Sequence, residues 1–285
     1  MSPAYPAKVL LLGEHTVLRG GRGLAVPYPA LALRWTKGPA PDPRLQDFAA
    51  FLRREGLPLD HDRLENDLAD GHQLTGNIPV GYGLGSSGAV CAAVSERYGT
   101  EEASPRDLPT LRRSLARMES FFHGSSSGTD PLVAYRREAL LLGVAGAVEA
   151  VTLPPDWAKS WFLLDTGITR HAGPLIERFL SAQATDPDTI RNGWREPADR
   201  AIAALIAGHA AALYAEVVRI SDFQLARFPD FIPRDFHAAW NGGDAYRLKL
   251  CGAGGGGMLL GLARDRAAVE EAFGTTKVRW LGESG

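Results

Sequence analysis

Residues 76–98, which read GNIPVGYGLGSSGAVCAAVSERY, combine a glycine-rich turn with the beginning of a helix. Gly81, Gly83, Gly85 and Gly88 punctuate a short run, and a helical pattern of small residues follows at once. A glycine-rich turn that enters a helix presents unpaired backbone N–H groups and the positive end of the helix dipole. The stretch therefore predicts an anion-binding loop, and phosphate is the anion that such loops most often bind.

Two serines, Ser86 and Ser87, stand where this loop becomes helix. A hydroxyl group at that place can cap the helix, or it can bind the Mg²⁺ that accompanies a nucleotide phosphate. A glycine-rich turn that is capped by serine and binds no ligand is the alternative, and the stretch alone leaves it open.

The glycine spacing partly matches two common phosphate-binding loops. The P-loop pattern G-x-x-x-x-G-K-[ST] fits at Gly83 and Gly88, but Ala89 stands where the lysine must be. The dinucleotide pattern G-x-G-x-x-G fits at Gly83, Gly85 and Gly88, but it should follow a hydrophobic strand. The preceding residues 76–79, GNIP, make a poor strand. A nicotinamide oxidoreductase is therefore a distant alternative.

Residues 79–89, PVGYGLGSSGA, closely resemble the phosphate loop of the GHMP kinases, the family of galactose, homoserine, mevalonate and phosphomevalonate kinases. The family pattern is P-x-G-x-G-L-G-S-S-A-A, and only Gly88 departs from it, in place of an alanine. The resemblance implies an ATP-dependent kinase whose nucleotide lies on this loop. The cofactor-binding residues that it implies here are Gly81, Gly83, Leu84, Gly85, Ser86, Ser87 and Gly88.

The N-terminal apolar run, bounded by Pro6 and Gly13, is predicted to be a buried strand, and it has a charged residue, Lys8, at its edge. Lysine is usually exposed, so the residues alone favour a surface lysine over one in a site. Residues 6–20, however, resemble the opening motif of the mevalonate kinases, P-x-K-x-x-L-x-G-E-H-x-V-x-x-G. The resemblance implies that Lys8 is catalytic and that Glu14 and His15 line the substrate pocket, whereas His15 alone would be interpreted as a structural histidine.

A helix is predicted from Ser104 to Phe122, because serine is a good capping residue, Pro105 suits the first helical position and apolar residues recur at helical spacing. Glu119 extends the apolar stripe of this helix. A carboxylate buried there needs a cation or another partner, whereas one at the edge of the stripe reaches solvent. The sequence leaves both interpretations open.

The segment HGSSSGTDP that follows this helix is predicted to be a tight loop, in which Asp130 alone would be an ordinary turn residue. The loop resembles the mevalonate kinase signature H-G-x-x-S-G-x-D. The resemblance implies that Asp130 is the catalytic base and that His123 contacts the substrate. It also implies that Glu119 binds Mg²⁺ together with a loop serine, for which Ser87 is favoured and Ser86 is the alternative. The family usually has proline where Ser126 stands, a change that we expect to alter the stiffness of the loop more than its chemistry.

A second glycine-rich run occupies residues 252–257, GAGGGG. Ordering such a run costs conformational entropy, so we expect it where backbone must approach other backbone or a ligand closely. It resembles the third GHMP kinase motif, K-x-T-G-A-G-G-G-G-C, with Cys251 in place of threonine and Met258 in place of cysteine. The resemblance implies that Gly254 and Gly255 bind the cofactor.

Pro154 and Pro155 interrupt the chain and mark the expected boundary between an N-terminal domain, residues 1–153, and a C-terminal domain, residues 154–285. The family resemblance implies the α+β, two-domain GHMP kinase fold, with the active site in the cleft between the domains. It also implies that the DTG segment contacts the substrate through Asp165 and Thr166. The helices predicted in the C-terminal part cover approximately residues 172–184, 197–219 and 233–240.

The composition of the 285 residues is that of a soluble globular protein, with 45% apolar and 22% charged residues. A net charge of −2 provides no basic surface for nucleic acid or an anionic membrane. The longest apolar stretch, residues 201–213, is too short to span a bilayer. Cys91 and Cys251 are the only cysteines and are expected to be packing thiols, which favours a reducing cytoplasm.

The three motifs together imply that the protein phosphorylates a small-molecule alcohol with ATP and Mg²⁺. Mevalonate is the acceptor favoured by the resemblance, and its product, 5-phosphomevalonate, leads to isoprenoid precursors. Phosphomevalonate, a sugar or homoserine is the alternative acceptor within the family, and a catalytically silent nucleotide-binding regulator is the alternative outside catalysis. The small alcohol is the expected partner, without nucleic acid or membrane, and the sequence also allows a homodimer.

Overall fold

The computed structural model describes residues 3–100, 107–169 and 172–283, in which the strands form two antiparallel sheets. In the first sheet the order is β1-β2-β4-β5, and β3 pairs with the far end of the long strand β2. The apolar run that begins the chain forms β1, and most of its side chains are buried, as predicted. The strands of this sheet are β1 (Tyr5–Leu12), β2 (Gly23–Lys37), β3 (His72–Gly76), β4 (Leu140–Leu142) and β5 (Val148–Ala150).

The second sheet is built from the C-terminal part of the chain, in the order β7-β8-β6-β9. Its two central strands are buried almost throughout, which agrees with their nearly continuous apolar sequence. The strands of this sheet are β6 (Trp161–Asp165), β7 (Tyr246–Leu250), β8 (Met258–Ala263) and β9 (Val278–Trp280).

Helices follow the strands in both parts of the chain, and their apolar sides contribute to the buried core that also includes the sheets. The helices of the first part are α1 (Pro43–Arg54), α2 (His61–Ala69), α3 (Ser86–Tyr98), α4 (Leu108–His123) and α5 (Thr129–Arg136). Those of the second part are α6 (Ala172–Thr185), α7 (Pro187–Ile190), α8 (Glu196–Ile206), α9 (Ala210–Arg227) and α10 (Arg266–Phe273), with a π-helical turn at Arg191–Arg195.

Two of the predicted helices differ in the structure. The single helix expected at residues 197–219 is divided into α8 and α9, because Gly208 adopts the left-handed conformation (φ 75°) and ends the first helix. The helix expected at residues 233–240 is only a short 3₁₀ turn, Arg234–Phe236. The predicted helix start at Ser104 lies outside the described residues, and α4 begins at Leu108 after the capping carboxylate of Asp107.

The two sheets divide the chain near the expected boundary, since strands of the first sheet lie within residues 5–150 and those of the second within residues 161–280. Helix α8 crosses this division and packs against β1 and β2. The division into domains at residue 154 stays a prediction. Across the described ranges, no helix is both long and apolar enough to cross a membrane. Cys91 and Cys251 are both free and buried.

Candidate active site

Lys8 and Asp130 form an ion pair in which Nζ and Oδ1 are 2.7 Å apart. Lys8 lies on β1 between two fully buried neighbours, and its side chain is only 9% exposed. Its backbone N–H donates a hydrogen bond of 2.8 Å to the carbonyl of Leu84, which joins β1 to the glycine-rich loop. The structure thus excludes the surface-lysine interpretation and places Lys8 beside the predicted base.

Asp130 occupies the first turn of α5, where Gly128 is the N-terminal cap in the left-handed conformation. A carboxylate in the first turn of a helix is stabilised by the positive end of the helix dipole. The Asp130 side chain is 30% exposed, in contrast to that of Lys8. The carboxylate of Asp130 is therefore accessible to a ligand, and the buried ammonium group of Lys8 stabilises its negative charge.

The glycine-rich loop ends against this ion pair. Gly85 caps α3 with a left-handed φ of 73°, and no side chain caps this end of the helix. A Cβ atom on Gly85 would lie 3.3 Å from Asp130 Oδ2 and 3.5 Å from Lys8 Cβ, so the loop backbone touches both residues. Since the first amides of a helix have no intrahelical acceptor, α3 presents donors for an anion next to Asp130.

A cavity of about 620 Å³ opens beside the loop, a volume that suits a small ligand such as a nucleotide. Its lining lies within residues 33–130, so the described cavity belongs to the first part of the chain. The second part approaches the loop from outside, where Gly257 contacts the Tyr82 backbone and Thr169 contacts Gly81. The polar lining is Asp42, Arg44, Ser86, Ser87, His123 and Asp130, with the loop residues Gly81, Gly83 and Gly85. The apolar lining is Leu33, Leu45, Leu74, Ile78, Val80, Val90 and Phe122.

Glu119 projects from α4 into a buried position beside the loop and is 4% exposed. Ser87 donates its hydroxyl proton to Oε1 of Glu119 at 2.9 Å, and Ser126 donates to Oε2. Burial, followed by the nearby charge of Asp130, raises the pKa of Glu119 to about 7. Of the two interpretations that the sequence left open, the solvent-exposed edge position is thereby excluded, and the serine hydroxyls are the partners that the buried carboxylate needs.

His123 lies at the same place, with Nε2 3.0 Å from the Ser87 hydroxyl oxygen. The single proton of that hydroxyl goes to Glu119, so His123 Nε2 is the donor to the Ser87 oxygen. His123, predicted to contact the substrate, therefore lies next to the predicted metal ligands. It lines the same cavity as the phosphate loop.

The donor set around Glu119 fits Mg²⁺. Mg²⁺ prefers oxygen ligands and is usually held by one or two carboxylates together with substrate phosphates. Glu119 supplies one buried carboxylate and Ser87 one hydroxyl, both beside the anion-binding end of α3. Within the described ranges, no group of three or more His, Cys, Asp or Glu side chains could hold a metal ion. The remaining ligands of a cation at Glu119 would therefore be the phosphates of a nucleotide and water.

Glu14, predicted to contact the substrate, has a different environment. It is 1% exposed, and its Oε2 lies 2.8 Å from Nζ of Lys249 on β7. Gln224 on α9 donates a hydrogen bond of 2.7 Å to Oε1. Both partners come from the second part of the chain, so Glu14 joins the two parts and its carboxylate is not open to a ligand in this structure.

His15 is likewise enclosed, being 5% exposed. Its ring packs against the rings of Phe179, Trp194 and Phe231, with centroid distances of 5.0, 5.5 and 5.1 Å. Nε2 lies 3.0 Å from the carbonyl oxygen of Ala253 in the second glycine-rich run. This arrangement is the structural-histidine environment that the residue alone suggested.

Asp165 and Thr166, which were predicted to contact the substrate, are hydrogen-bonded to backbone groups, and their substrate contact stays a prediction. Thr166 donates its hydroxyl proton to the carbonyl of Gly257 at 2.7 Å, and Asp165 accepts from the N–H of Gly167 at 2.8 Å. The Gly255 N–H donates to the carbonyl of Phe231 at 2.7 Å. The second glycine-rich run therefore brings backbone to backbone, as one of its two expected roles, whereas cofactor binding by Gly254 and Gly255 stays a prediction.

Two features of the site were not identified from the sequence. The expectation that Ser126 matters mainly for loop stiffness is corrected, because its hydroxyl contacts Glu119. Asp42 and Arg44 line the cavity from the start of α1, in a proline-containing turn whose sequence carries no signal of a ligand. In the sequence, the only indication that Ser126 is special was that it replaces the proline of the family motif.

Comparison with known proteins gives a family match for part of this site. Residues 49–137, which contain the loop, Glu119 and Asp130, match the model of the GHMP kinases N terminal domain. The mevalonate kinases of Aeropyrum pernix and Thermococcus sibiricus are 24% and 30% identical to the chain over 212 and 163 residues. The matches span 62% and 45% of this chain but only 60% and 47% of those two relatives. The mevalonate kinase of Archaeoglobus fulgidus is 24% identical over 279 residues, which is 92% of each chain.

Solved structures resemble the whole chain in fold. The L. major mevalonate kinase in complex with R-mevalonate has a TM-score of 0.68 at 18% identity, covering 98% of this chain and 94% of the other. The Streptococcus pneumoniae phosphomevalonate kinase has the same TM-score at 14% identity, covering 95% and 93%. At such identities the likeness shows the fold alone, and it confirms the predicted GHMP kinase architecture. Residues 49–137 match the family model of the GHMP kinases N terminal domain, and the fold of the whole chain is similar to that of solved kinases of this family.

Proposed function

We propose that the protein transfers the γ-phosphoryl group of ATP to the hydroxyl group of a small-molecule alcohol. The observation that carries this proposal is the Lys8–Asp130 ion pair, 2.7 Å long, in contact with Gly85 at the uncapped end of α3. A phosphate bound by the first amides of α3 would lie beside Asp130. An alcohol that reaches Asp130 would therefore face that phosphate.

The residues provide the groups that such a transfer needs. The alcohol oxygen forms a bond to the γ-phosphorus, the bond between that phosphorus and the bridging oxygen breaks, and ADP leaves. Asp130 accepts the proton of the alcohol, and the ammonium group of Lys8 stabilises negative charge on the attacking oxygen and on the carboxylate. In phosphoryl transfer most of the rate comes from such positioning and charge stabilisation.

Glu119 and Ser87 are the residues that would hold Mg²⁺ with the nucleotide. A bound divalent cation neutralises charge on the transferring phosphates. The apolar part of the cavity wall, which includes Leu45 and Phe122, is suited to the base of a nucleotide. ATP is supported as the phosphoryl donor by this combination of an apolar wall and an anion-binding loop.

Mevalonate is the acceptor that we propose, with 5-phosphomevalonate as the product and isoprenoid precursor synthesis as the purpose. Three curated relatives are mevalonate kinases, and one structural neighbour is described in complex with R-mevalonate. Glu14 and His15 add no support of their own, since both have partners inside the protein. The choice of acceptor therefore rests on the relatives.

The other acceptors of the family are phosphomevalonate, homoserine and sugars, and phosphomevalonate is favoured among them by the S. pneumoniae phosphomevalonate kinase fold. A catalytically silent regulator would have no need of the Lys8–Asp130 pair or of a buried Glu119. The proposed location is the reducing cytoplasm, supported by the free, buried thiols of Cys91 and Cys251. A homodimer stays a prediction.

The test is ADP release from Mg·ATP in the presence of each candidate acceptor: mevalonate, phosphomevalonate, homoserine and galactose. We expect mevalonate to give the highest kcat/KM, with the transferred phosphate on its primary hydroxyl by ³¹P NMR. A higher kcat/KM with another acceptor would reassign the substrate. Nucleotide binding without ADP release above the acceptor-free rate, for every alcohol, would support the silent regulator.

A further inference from the structure

Two hydroxyl groups from different elements hold the Glu119 carboxylate. Ser87, in the first turn of α3, donates to Oε1 at 2.9 Å, and Ser126, in the loop between α4 and α5, donates to Oε2. The carboxylate is 4% exposed, so these two donors replace the water that it would otherwise bind. Oε1 of Glu119 is thereby bonded to helix α3, and Oε2 to the loop between α4 and α5.

The orientation of the Ser126 hydroxyl is fixed by a second hydrogen bond. The backbone N–H of Gly128 donates to the Ser126 oxygen at 2.9 Å and occupies one of its lone pairs. The hydroxyl proton is then free to point at Glu119. Because Gly128 caps the helix that carries Asp130, one serine side chain connects the predicted metal ligand to the segment of the predicted base.

We propose that Ser126 is a positioning residue for the metal site, holding Glu119 by Oε2 so that Oε1 and the Ser87 hydroxyl face the cation of a Mg·nucleotide together. This inference rests on the proposed function and deepens it. Proline, the residue of the family pattern at this position, has no hydroxyl and can make neither of the two hydrogen bonds. The metal site of this chain therefore depends on a side chain that the family motif does not provide.

The consequence of losing the hydroxyl follows from burial. Without Ser126, Oε2 of Glu119 loses its hydrogen-bond donor at a buried position, and the carboxylate turns away from Ser87 to find another. Metal affinity depends on such outer partners, whose removal typically costs about 10–100-fold. The first amides of α3 are untouched by this change, so nucleotide binding without metal is unaffected.

The test compares the affinity for a non-hydrolysable ATP analogue in Mg²⁺ and in EDTA by calorimetry. We expect Ser126→Ala and Ser126→Pro to reduce the ratio of the two affinities about 10–100-fold, with the EDTA value unchanged. Ser126→Thr retains the hydroxyl and is expected to keep the wild-type ratio. The matched control is Ser120→Ala, since Ser120 is the neighbour of Glu119 on α4 and its hydroxyl donates only to the carbonyl of Arg117.

A wild-type ratio in Ser126→Ala or Ser126→Pro would overturn the proposal. If Ser126→Ala does not fold, the comparison of Ser126→Pro with Ser126→Thr replaces it. Equal affinity ratios in these two variants would overturn the proposal. Failure of the wild-type protein to bind the analogue at all would instead overturn the proposed function. The two failures are therefore distinguishable, because only the first leaves wild-type binding and its Mg²⁺ dependence intact.

Discussion

Nζ of Lys249 lies 2.8 Å from Oε2 of Glu14, and neither side chain is more than 1% exposed. Glu14 follows the first strand of one sheet, whereas Lys249 lies on a strand of the other. Gln224 completes the group, since its amide donates to Glu14 and its carbonyl oxygen accepts from the Leu250 N–H at 2.9 Å. An acid in the opening motif thus has a structural partner far along the chain.

Removal of one member of this buried pair is expected to be costly, because it leaves an uncompensated charge. Lys249→Met should lower the free energy of unfolding by about 3–5 kcal/mol, measured by denaturant unfolding. Adding Glu14→Gln to Lys249→Met should restore part of the loss. The control is Lys37→Met, which breaks the exposed Lys37–Asp70 pair (61% and 62% exposed) and should cost no more than about 1 kcal/mol. Equal effects of the two lysine substitutions would contradict a buried, uncompensated charge.

The pH dependence of stability should carry the signature of Glu119. Its pKa in the folded protein is raised from 4.5 to about 7, so between these values the folded protein keeps a proton that the unfolded chain has released. This contribution to stability is therefore complete below pH 4.5 and is lost as the pH rises through 7. Relative to the wild type, Glu119→Gln should gain stability on the order of 3 kcal/mol between pH 4.5 and pH 8. A stability difference that does not change with pH would refute the raised pKa of the buried Glu119 carboxyl group.

Gly88 is expected to set the distance between α3 and the segment of Asp130. A Cβ atom at Gly88 would lie 2.7 Å from the Asp130 carbonyl carbon and 2.7 Å from the Pro131 nitrogen. Gly88→Ala, which introduces the family residue, should lower stability by about 1–3 kcal/mol and reduce turnover by moving Asp130 away from Lys8. Thermal unfolding and kcat measure these effects. The control is Gly173→Ala on α6, where the added carbon has no described atom within 4 Å other than those of its chain neighbours and its own helix backbone. A similar loss there would argue against a steric cause at Gly88.

Ser87, rather than Ser86, is expected to bind the metal, because only the Ser87 hydroxyl has a hydrogen bond to Glu119 in the described structure. Ser87→Ala should raise the Mg²⁺ concentration for half-maximal activity by about 10-fold or more, whereas Ser86→Ala should leave it near the wild-type value. A Mg²⁺ titration of ADP release measures both. If only Ser86→Ala raised the Mg²⁺ concentration for half-maximal activity, Ser86 rather than Ser87 would be the metal ligand.

Local patterns were sufficient to predict the parts of the fold that are set by nearby residues. The apolar run before Gly13 became β1, and the glycine-rich loop led directly into α3. The family resemblance paired Lys8 with Asp130, although no local signal connects residues so far apart. Gly208 shows the limit of periodicity, because one left-handed residue divides an otherwise continuous helical pattern.

The partners of buried charges could not be predicted, because they depend on how the two parts of the chain pack. Glu14 and His15 were expected at the substrate, but Lys249 and an aromatic cluster enclose them. Nothing in the sequence connects Glu14 to a lysine in a strand near the other end of the chain. Ser126 was visible as a departure from the motif, and only the geometry revealed that its hydroxyl reaches Glu119.

The most direct test of the account is the turnover of Asp130→Asn with Mg·ATP and mevalonate, measured together with its affinity for ATP. Because Asn keeps the size of the side chain but is not a base, we expect turnover to fall about 10²–10⁴-fold while ATP still binds to the loop. Turnover at the wild-type rate in a variant that binds ATP normally would contradict the assignment of Lys8 and Asp130 as the catalytic pair.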